Sequence, residues 1–457
     1  MTKVFLFGID GATPELLFGA WKNELPHLKK LMEKGSYAKM NSTIPPITIV
    51  AWNAMISGKD PSEIGLFGYT FKDDQGEQQI VTSKNRKCEV LWDILGREKK
   101  QSIALYVPLT YPVHPLNGCM VSDFLTPTIE SECTYPPELK EKIKGYGNTK
   151  IFFDVVVGLG GHKSLSPQEL IERTYTMTEM QIKLLKDLLV NKPWDFFMTV
   201  MLGTDRLQHM LWNHFDKTHR RYVKDSPHKN ALKEYYIYLD KKFGEILSLL
   251  DEDTIIIVAS DHGMVKQEGK ININNWLNEE GYLVFKKPLK EKTRFHTSHI
   301  DMNKTLAWGS GAYHGRIFIN KEKAGNAYGK IREEIIKKLK KIPDDQGKPL
   351  KTTVYKAEEI YKNPKHPDCP DLTVYFDDLR WSSNPDLGQE GLYSWETALG
   401  ADSAGHARQG CFIIYGKGIK HRGLMKDIDI RQVAPTILKL MKIPVPKDMV
   451  IPSLEVT

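Results

Sequence analysis

Short, mostly apolar runs recur along the chain at residues 4–9, 102–107, 196–202, 254–259, 371–376 and 412–415, rich in Val, Ile and Phe and bounded by Gly, Asp or Pro. The runs are near-continuous rather than alternating, as in strands of a parallel sheet that are covered on both faces. Between them the apolar spacing changes to three and four. Residues 166–189 open with Ser-Pro-Gln-Glu, a helix-capping sequence, and 229–250 and 430–441 continue in the same helical period. Strands alternating with helices predict an α/β fold: a mostly parallel central sheet with helices on both faces. Residues 286–363 break this rhythm, being Lys-rich and interrupted by Gly and Pro. They are expected to form an inserted cap over the carboxyl edge of the sheet, leaving 1–285 and 364–457 as the core.

Composition narrows the function classes. The 457 residues are 41% hydrophobic and 26% charged, an ordinary globular balance, and the chain is long enough to bury a large core. The net charge of +7 is small for this length and scattered. That pattern gives no reason for an obligatory nucleic-acid partner, while an anionic substrate suits it. Five cysteines, an odd number without a C-x-x-C pair, read as reduced thiols of a cytoplasmic protein rather than disulfides or a thiolate metal site. No apolar run approaches the roughly 20 residues of a membrane span. Oligomeric state leaves no mark in the pattern.

Open α/β sheets bind ligands at the carboxyl ends of their strands, so the polar residues there carry the chemistry. Asp10 follows the first run in Ile9-Asp10-Gly11, either facing a cation or simply closing a turn. Thr48 stands where Pro45-Pro46-Ile47 runs into an apolar helical stretch, either as an N-cap or as a hydroxyl presented to an anion. Asp205 and His209 are four residues apart after run 196–202, so one helix face can carry both, as metal ligands or as a modest surface pair. Ser260-Asp261-His262-Gly263 follows another apolar run, and Gly405-His406 precedes the last. A polar Asp-His pair at a buried strand end favours a metal or catalytic role. Among the remaining histidines, His314 in Tyr313-His314-Gly315-Arg316 is the one to follow. Oxygen and imidazole donors without thiolate suit Zn²⁺, with Mn²⁺ or Fe²⁺ as alternatives.

Taken together, Asp after the first strand, Thr at a helix start, Asp-x-x-x-His, Asp-His-Gly and a late Gly-x-His resemble the alkaline phosphatase superfamily. The nearer likeness is to its type I phosphodiesterases and nucleotide pyrophosphatases and to a prokaryotic group of predicted phosphohydrolases and phosphomutases. The stretches Thr110-Tyr111-Pro112, Val121 to Pro127, Gln208 to Trp212 and Val433 to Leu438 share in it. The resemblance implies one divalent ion held by Asp10, Asp261 and His262 with Thr48 as nucleophile, and a second held by Asp205, His209 and His406. Two ions supply +4 and the three aspartates −3, a surplus that would stabilise a threonine alkoxide on the way to a phosphothreonine intermediate. In the nucleotide pyrophosphatase branch an Asn three residues after the nucleophile holds a phosphoryl oxygen. Here Ala51 occupies that place, and Asn53 or backbone N–H groups would substitute. Arg408 or Arg86 could add a cation for a phosphomonoester.

The expected activity is hydrolysis of a small phosphate ester, first a diester. A phosphomonoesterase or a cofactor-independent phosphomutase is the alternative, although those mutases use Ser. A sulfatase would need a Cys or Ser within C/S-x-P-x-R, which does not surround Thr48. From another class, a metal-binding scaffold without catalysis is the remaining reading.

Overall fold

The computed structural model describes residues 2–73, 78–158, 160–287, 289, 291–397 and 400–457. At its centre, five strands run parallel in the spatial order Ile255–Ala259, Val4–Ile9, Phe196–Met201, Ser102–Leu105 and Gly118–Val121. Val4 pairs with Phe196 on one side and Ile255 on the other, and Ile9 with Met201. Successive side chains of a strand point to opposite faces. Phe5, Phe7 and Ile9 therefore enter one hydrophobic cluster, and Val4 and Leu6 enter another. Helices Pro26–Lys34, Pro167–Asn191 and Ala231–Leu247 cover the first face, and Thr48–Ser57, Leu91–Arg97 and Val433–Leu440 the second. Ser166 caps the long helix in a capping box with Glu169, as its sequence predicts.

Two of the expected parallel strands behave differently. Run 412–415 belongs to Gln409–Tyr415, which joins the central sheet antiparallel, between Ile255–Ala259 and Ser36–Asn41. Run 371–376 does not join it at all. Leu372–Tyr375 lies in a separate four-stranded antiparallel sheet with Ala307–Ser310, Gly315–Ile319 and Thr353–Lys356. A short Val- and Leu-bearing strand buried on both sides reads alike in either sheet, which is why periodicity misplaces it. Its ends decide the matter: the Asp371 carboxylate accepts from Ile319 N–H and from the Tyr328 hydroxyl, each at 2.7 Å, within the smaller unit. A third hydrophobic cluster gathers Ile271, Trp276, Ile317, Leu339, Val374 and Trp381, so this packing extends beyond 286–363 on both sides.

The chain leaves the central sheet after Ile255–Ala259 and returns before Gln409–Tyr415. The outgoing Gly263–Lys266 and the incoming Ala404–Ala407 form an antiparallel ladder in which Met264 pairs with His406. This neck therefore brings two sequence-distant histidines side by side; the rings of His262 and His406 stack with centroids 3.7 Å apart.

The sheet also sets Asp10. A Cβ at Gly8 would meet the Trp52 ring at 2.6 Å and the Thr199 carbonyl oxygen at 2.9 Å. The absence of a side chain there lets Trp52 lie against the strand and donate its indole N–H to Asp10 Oδ2 at 2.8 Å. Replacing Gly8 by Ala is expected to displace Trp52 and to lower stability by about 1–3 kcal/mol, measured as a reduced urea midpoint with an unchanged m-value.

Candidate active site

Four of the anticipated ligands sit on or directly after strands, and two on a helix. Asp10 and Gly11 form the turn after Val4–Ile9, with Gly11 in the left-handed region at φ +69°. A Cβ there would come within 3.3 Å of the Asp205 backbone, so the glycine permits the close approach of the two acids. Asp261 and His262 follow Ile255–Ala259, and His406 stands on the neck ladder. Asp205 and His209 project from the first turns of helix Gly203–Phe215, as their spacing predicts.

Thr48 is the first residue of helix Thr48–Ser57 and makes no side-chain cap; the N-cap position falls to Ile47. Its Oγ1 is 3.3 Å from His262 Nε2 instead. The hydroxyl thus turns to a histidine of the cluster from a helix N-terminus, where the dipole and free N–H groups favour an anion.

All these side chains are buried, none exposing more than 2% of its surface. Each histidine binds a main-chain carbonyl through Nδ1: His262 to Gly263 at 3.0 Å, His209 to Ala404 at 3.0 Å and His406 to Pro46 at 2.7 Å. These contacts leave every Nε2 directed at an acid. His262 Nε2 is 3.2 Å from Asp261 Oδ2, His209 Nε2 is 3.3 Å from Asp205 Oδ1, and His406 Nε2 is 3.7 Å from the same oxygen. Two trios have ligand atoms all within 4.8 Å of one another: Asp10, Asp261 and His262, and Asp205, His262 and His406. His209 lies at the flank of the second, through Asp205.

The decisive detail is what the acids lack. Asp10 Oδ1, Asp205 Oδ1 and Asp261 Oδ2 are buried and accept no hydrogen bond. Buried carboxylate oxygens without donors are costly unless a cation faces them. Burial and the neighbouring Asp205 push Asp10 well above the usual carboxylate range, and burial and Asp10 do the same to Asp261. Asp205 behaves oppositely: burial would raise it, but His209 and Arg206 outweigh that and hold it well below the ordinary value. Burial lowers His262 to about 4, and burial with the adjacent His262 holds His406 well below the usual imidazole value. His209 resists burial because Asp205 and Asp402 lift it to about 9. The cluster thus gathers three acids with two imidazoles kept neutral, His262 and His406, and one kept charged, His209; once His209 gives up its proton, the donor set fits hard or borderline divalent ions.

Other anticipated residues lie apart from the cluster. Asn53 is fully buried, with its amide donating to the carbonyls of Ile49 and Pro108 and its oxygen accepting from Arg86. That network holds helix Thr48–Ser57 against the Pro108 loop and occupies both Asn53 and Arg86. Arg408 pairs with Asp378, donates to the Tyr355 hydroxyl and lies over the Tyr375 ring, so it binds the second unit.

The structure adds groups that the sequence did not single out. Tyr69 comes from the loop after helix Pro61–Ile64 to line the cavity beside the cluster, where burial raises its hydroxyl pKa and the neighbouring Thr48 lowers it. Tyr313, next to His314, stacks on His406 at 4.2 Å and brings its hydroxyl 3.4 Å from His209 Nε2. Asp402 lies 3.5 Å from His209 Nδ1 and pairs with Lys163 and Lys270. Arg206 is clamped by Asp154 and donates to Asp205 Oδ2 at 2.8 Å. Tyr69 and Tyr313 belong to no motif, and Asp402 could have been noticed only as an acid four residues before His406.

Comparison with known proteins gives these positions a context. Among solved structures, human ectonucleotide pyrophosphatase/phosphodiesterase 5 matches with a TM-score of 0.58 at 14% identity, covering 97% of this chain and 96% of that one. Its murine counterpart, as an inactive variant in complex with AMP, matches with 0.57 at 13% identity over 98% and 96%. At such identities the likeness establishes the fold. No curated protein sequence is similar enough to count as a match. The model of type I phosphodiesterases/nucleotide pyrophosphatases matches residues 4–400. The chain therefore belongs to the type I phosphodiesterase/nucleotide pyrophosphatase family, phosphoric ester hydrolases of the alkaline phosphatase superfamily.

Proposed function

We propose that this chain is a phosphodiesterase that works through a phosphothreonine intermediate formed on Thr48, with two divalent ions, Zn²⁺ first and Mn²⁺ second, as its cofactors. The observation that carries this reading is the Thr48 hydroxyl at a helix start, 3.3 Å from His262 Nε2 in a cluster whose three aspartates each have a buried oxygen without a donor. Asp10, Asp261, His262 and Thr48 would hold one ion, and Asp205, His209 and His406 the other. When bound, the ions supply Lewis-acid charge to the attacking and leaving oxygens of an in-line displacement.

The chain's own groups do the rest. The start of helix Thr48–Ser57 orients the hydroxyl and offers N–H groups to a phosphoryl oxygen. Thr48 Oγ gives its proton to solvent and forms a bond to phosphorus as the ester bond on the opposite side breaks, and the departing oxygen takes a proton from water. Water then attacks the phosphothreonine, releasing a phosphomonoester and restoring the hydroxyl. Tyr69, beside Thr48 on the cavity wall, would donate to a phosphoryl oxygen, the part for which Asn53 or backbone N–H groups were expected to substitute. Reduced cysteines favour a cytoplasmic setting; no helix among the described residues is long and apolar enough to cross a membrane.

Thr48→Ala is expected to lower kcat for bis-p-nitrophenyl phosphate by at least about 10³-fold while metal content measured by mass spectrometry stays unchanged. Retained turnover would refute the nucleophile. Tyr69→Phe is expected to cost roughly 10²-fold in kcat/KM, the usual loss for one oxyanion donor.

A pH test reads the site without activity. The pKa of His209 is raised in the folded chain to about 9 from 6.5. The folded state therefore binds this proton more tightly, and the stability it brings is complete below pH 6.5 and lost as pH rises toward 9. The thermal midpoint of metal-free protein should fall across that window, and His209→Gln should remove the fall. Saturating Mn²⁺ at 100 times its Kd should stabilise the wild-type chain by about 2.7 kcal/mol.

A further inference from the structure

A cavity of about 330 Å³ opens beside the acid cluster, between the core and the second unit, and its wall carries Tyr69, Arg206, Tyr313 and Asp402. The hairpin of Ala307–Ser310 and Gly315–Ile319 forms part of it. Tyr313 fixes the hairpin against His406 and His209. Arg316 is three residues further on, so its Cα lies within about 11 Å of the Tyr313 Cα.

Two groups on this hairpin have no adequate partner. Arg316 is only 8% exposed; it donates to the Phe67 carbonyl at 3.0 Å and to Ser310 Oγ at 3.1 Å, while its Nε has no partner. No carboxylate among the described residues pairs with it, and Asp368 acts on it only from a distance. His314 is 1% exposed and both of its ring nitrogens lack partners. Burial and the Arg316 charge keep this imidazole neutral, so it has one N–H to give.

The rest of the lining shows a similar imbalance. Lys163 and Lys270 share the single carboxylate of Asp402, which leaves one positive charge over, whereas Arg206 is offset by Asp154 and Asp205. Arg294 and Asp386 also line the cavity; counting Asp154 and Asp205 beside Arg206, five cations against four acids leave a surplus of one positive charge. An unpaired buried guanidinium is costly, and an anionic ligand would remove that cost.

We propose that this cavity is a second anion subsite, in which Arg316 and His314 bind a terminal, doubly charged phosphoryl group carried by the substrate on one side of its scissile phosphodiester. The preferred substrate is then a phosphodiester bearing a further phosphate. The proposal rests on the hydrolase reading for the position of the scissile group, but the subsite itself can be tested separately.

The full-length, Mn²⁺-loaded chain is titrated calorimetrically with inorganic phosphate, alongside Arg316→Gln and His314→Phe. The wild type should bind one phosphate more than Arg316→Gln, and His314→Phe should weaken that extra site at least tenfold. Equal stoichiometry and affinity in all three would overturn the subsite. Failure of the metal-site reading would look different: one phosphate in the wild type and none in Arg316→Gln.

Turnover supplies a second measurement. The kcat/KM of p-nitrophenyl 2-phosphoethyl phosphate relative to p-nitrophenyl ethyl phosphate should fall at least tenfold in Arg316→Gln. An equal loss on both esters would assign Arg316 to scaffolding. Its thermal midpoint should be unchanged or raised, since the substitution removes an unpaired buried charge; a lowered midpoint with an unaltered ester ratio would also refute the proposal.

Discussion

Three main-chain carbonyls, those of Pro46, Gly263 and Ala404, commit the Nδ1 atoms of three buried imidazoles and so direct their Nε2 atoms inward. Those nitrogens meet aspartate oxygens that have no donor. Such a set is self-repelling unless protons or cations enter it, and a hydrogen bond from the other ring nitrogen to a carbonyl is what usually orients a histidine for a metal. The surrounding fold meets this one requirement. The turn at Gly11 lets Asp10 approach Asp205, Trp52 steadies the far oxygen of Asp10, and the neck ladder sets His406 beside His262.

The electrostatics change sign over a short distance. The acid cluster is negative and short of donors, whereas the neighbouring cavity is lined by Lys163, Lys270 and Arg316 with too few acids to match. A phosphoryl group is itself an anion, and two divalent ions would invert the sign of the cluster. In the proposed reading both halves of the active site would then attract negative charge, one through its cofactors and the other through its own side chains.

Much of the core could be read from the sequence because its signals are local. Continuous apolar runs marked the parallel strands, Ser166 to Glu169 marked a helix start, and the i,i+4 spacing placed Asp205 and His209 on one face. Long-range packing left weaker traces. Residues 371–376 have the composition of a central strand, yet Asp371 ties them to a different sheet. Thr48 has the sequence setting of an N-cap, but its hydroxyl turns to His262 because the helix begins one residue early. Asn53 is polar and close to Thr48 in sequence, but the helical rotation points it at the Pro108 loop. Tyr69 and Tyr313 arrive from loops with no pattern of their own, so only the folded chain could reveal them.

The pairing of Met264 with His406 has a mechanical meaning. The same two strands that tether the second unit to the core also seat His262 and His406 at their base. A swing of that unit about its tether would shear these rings past one another and pull Tyr313 off them. Tether and ligand cradle are thus one object, and ions held at the Nε2 edges of these two rings would fasten the joint from both sides.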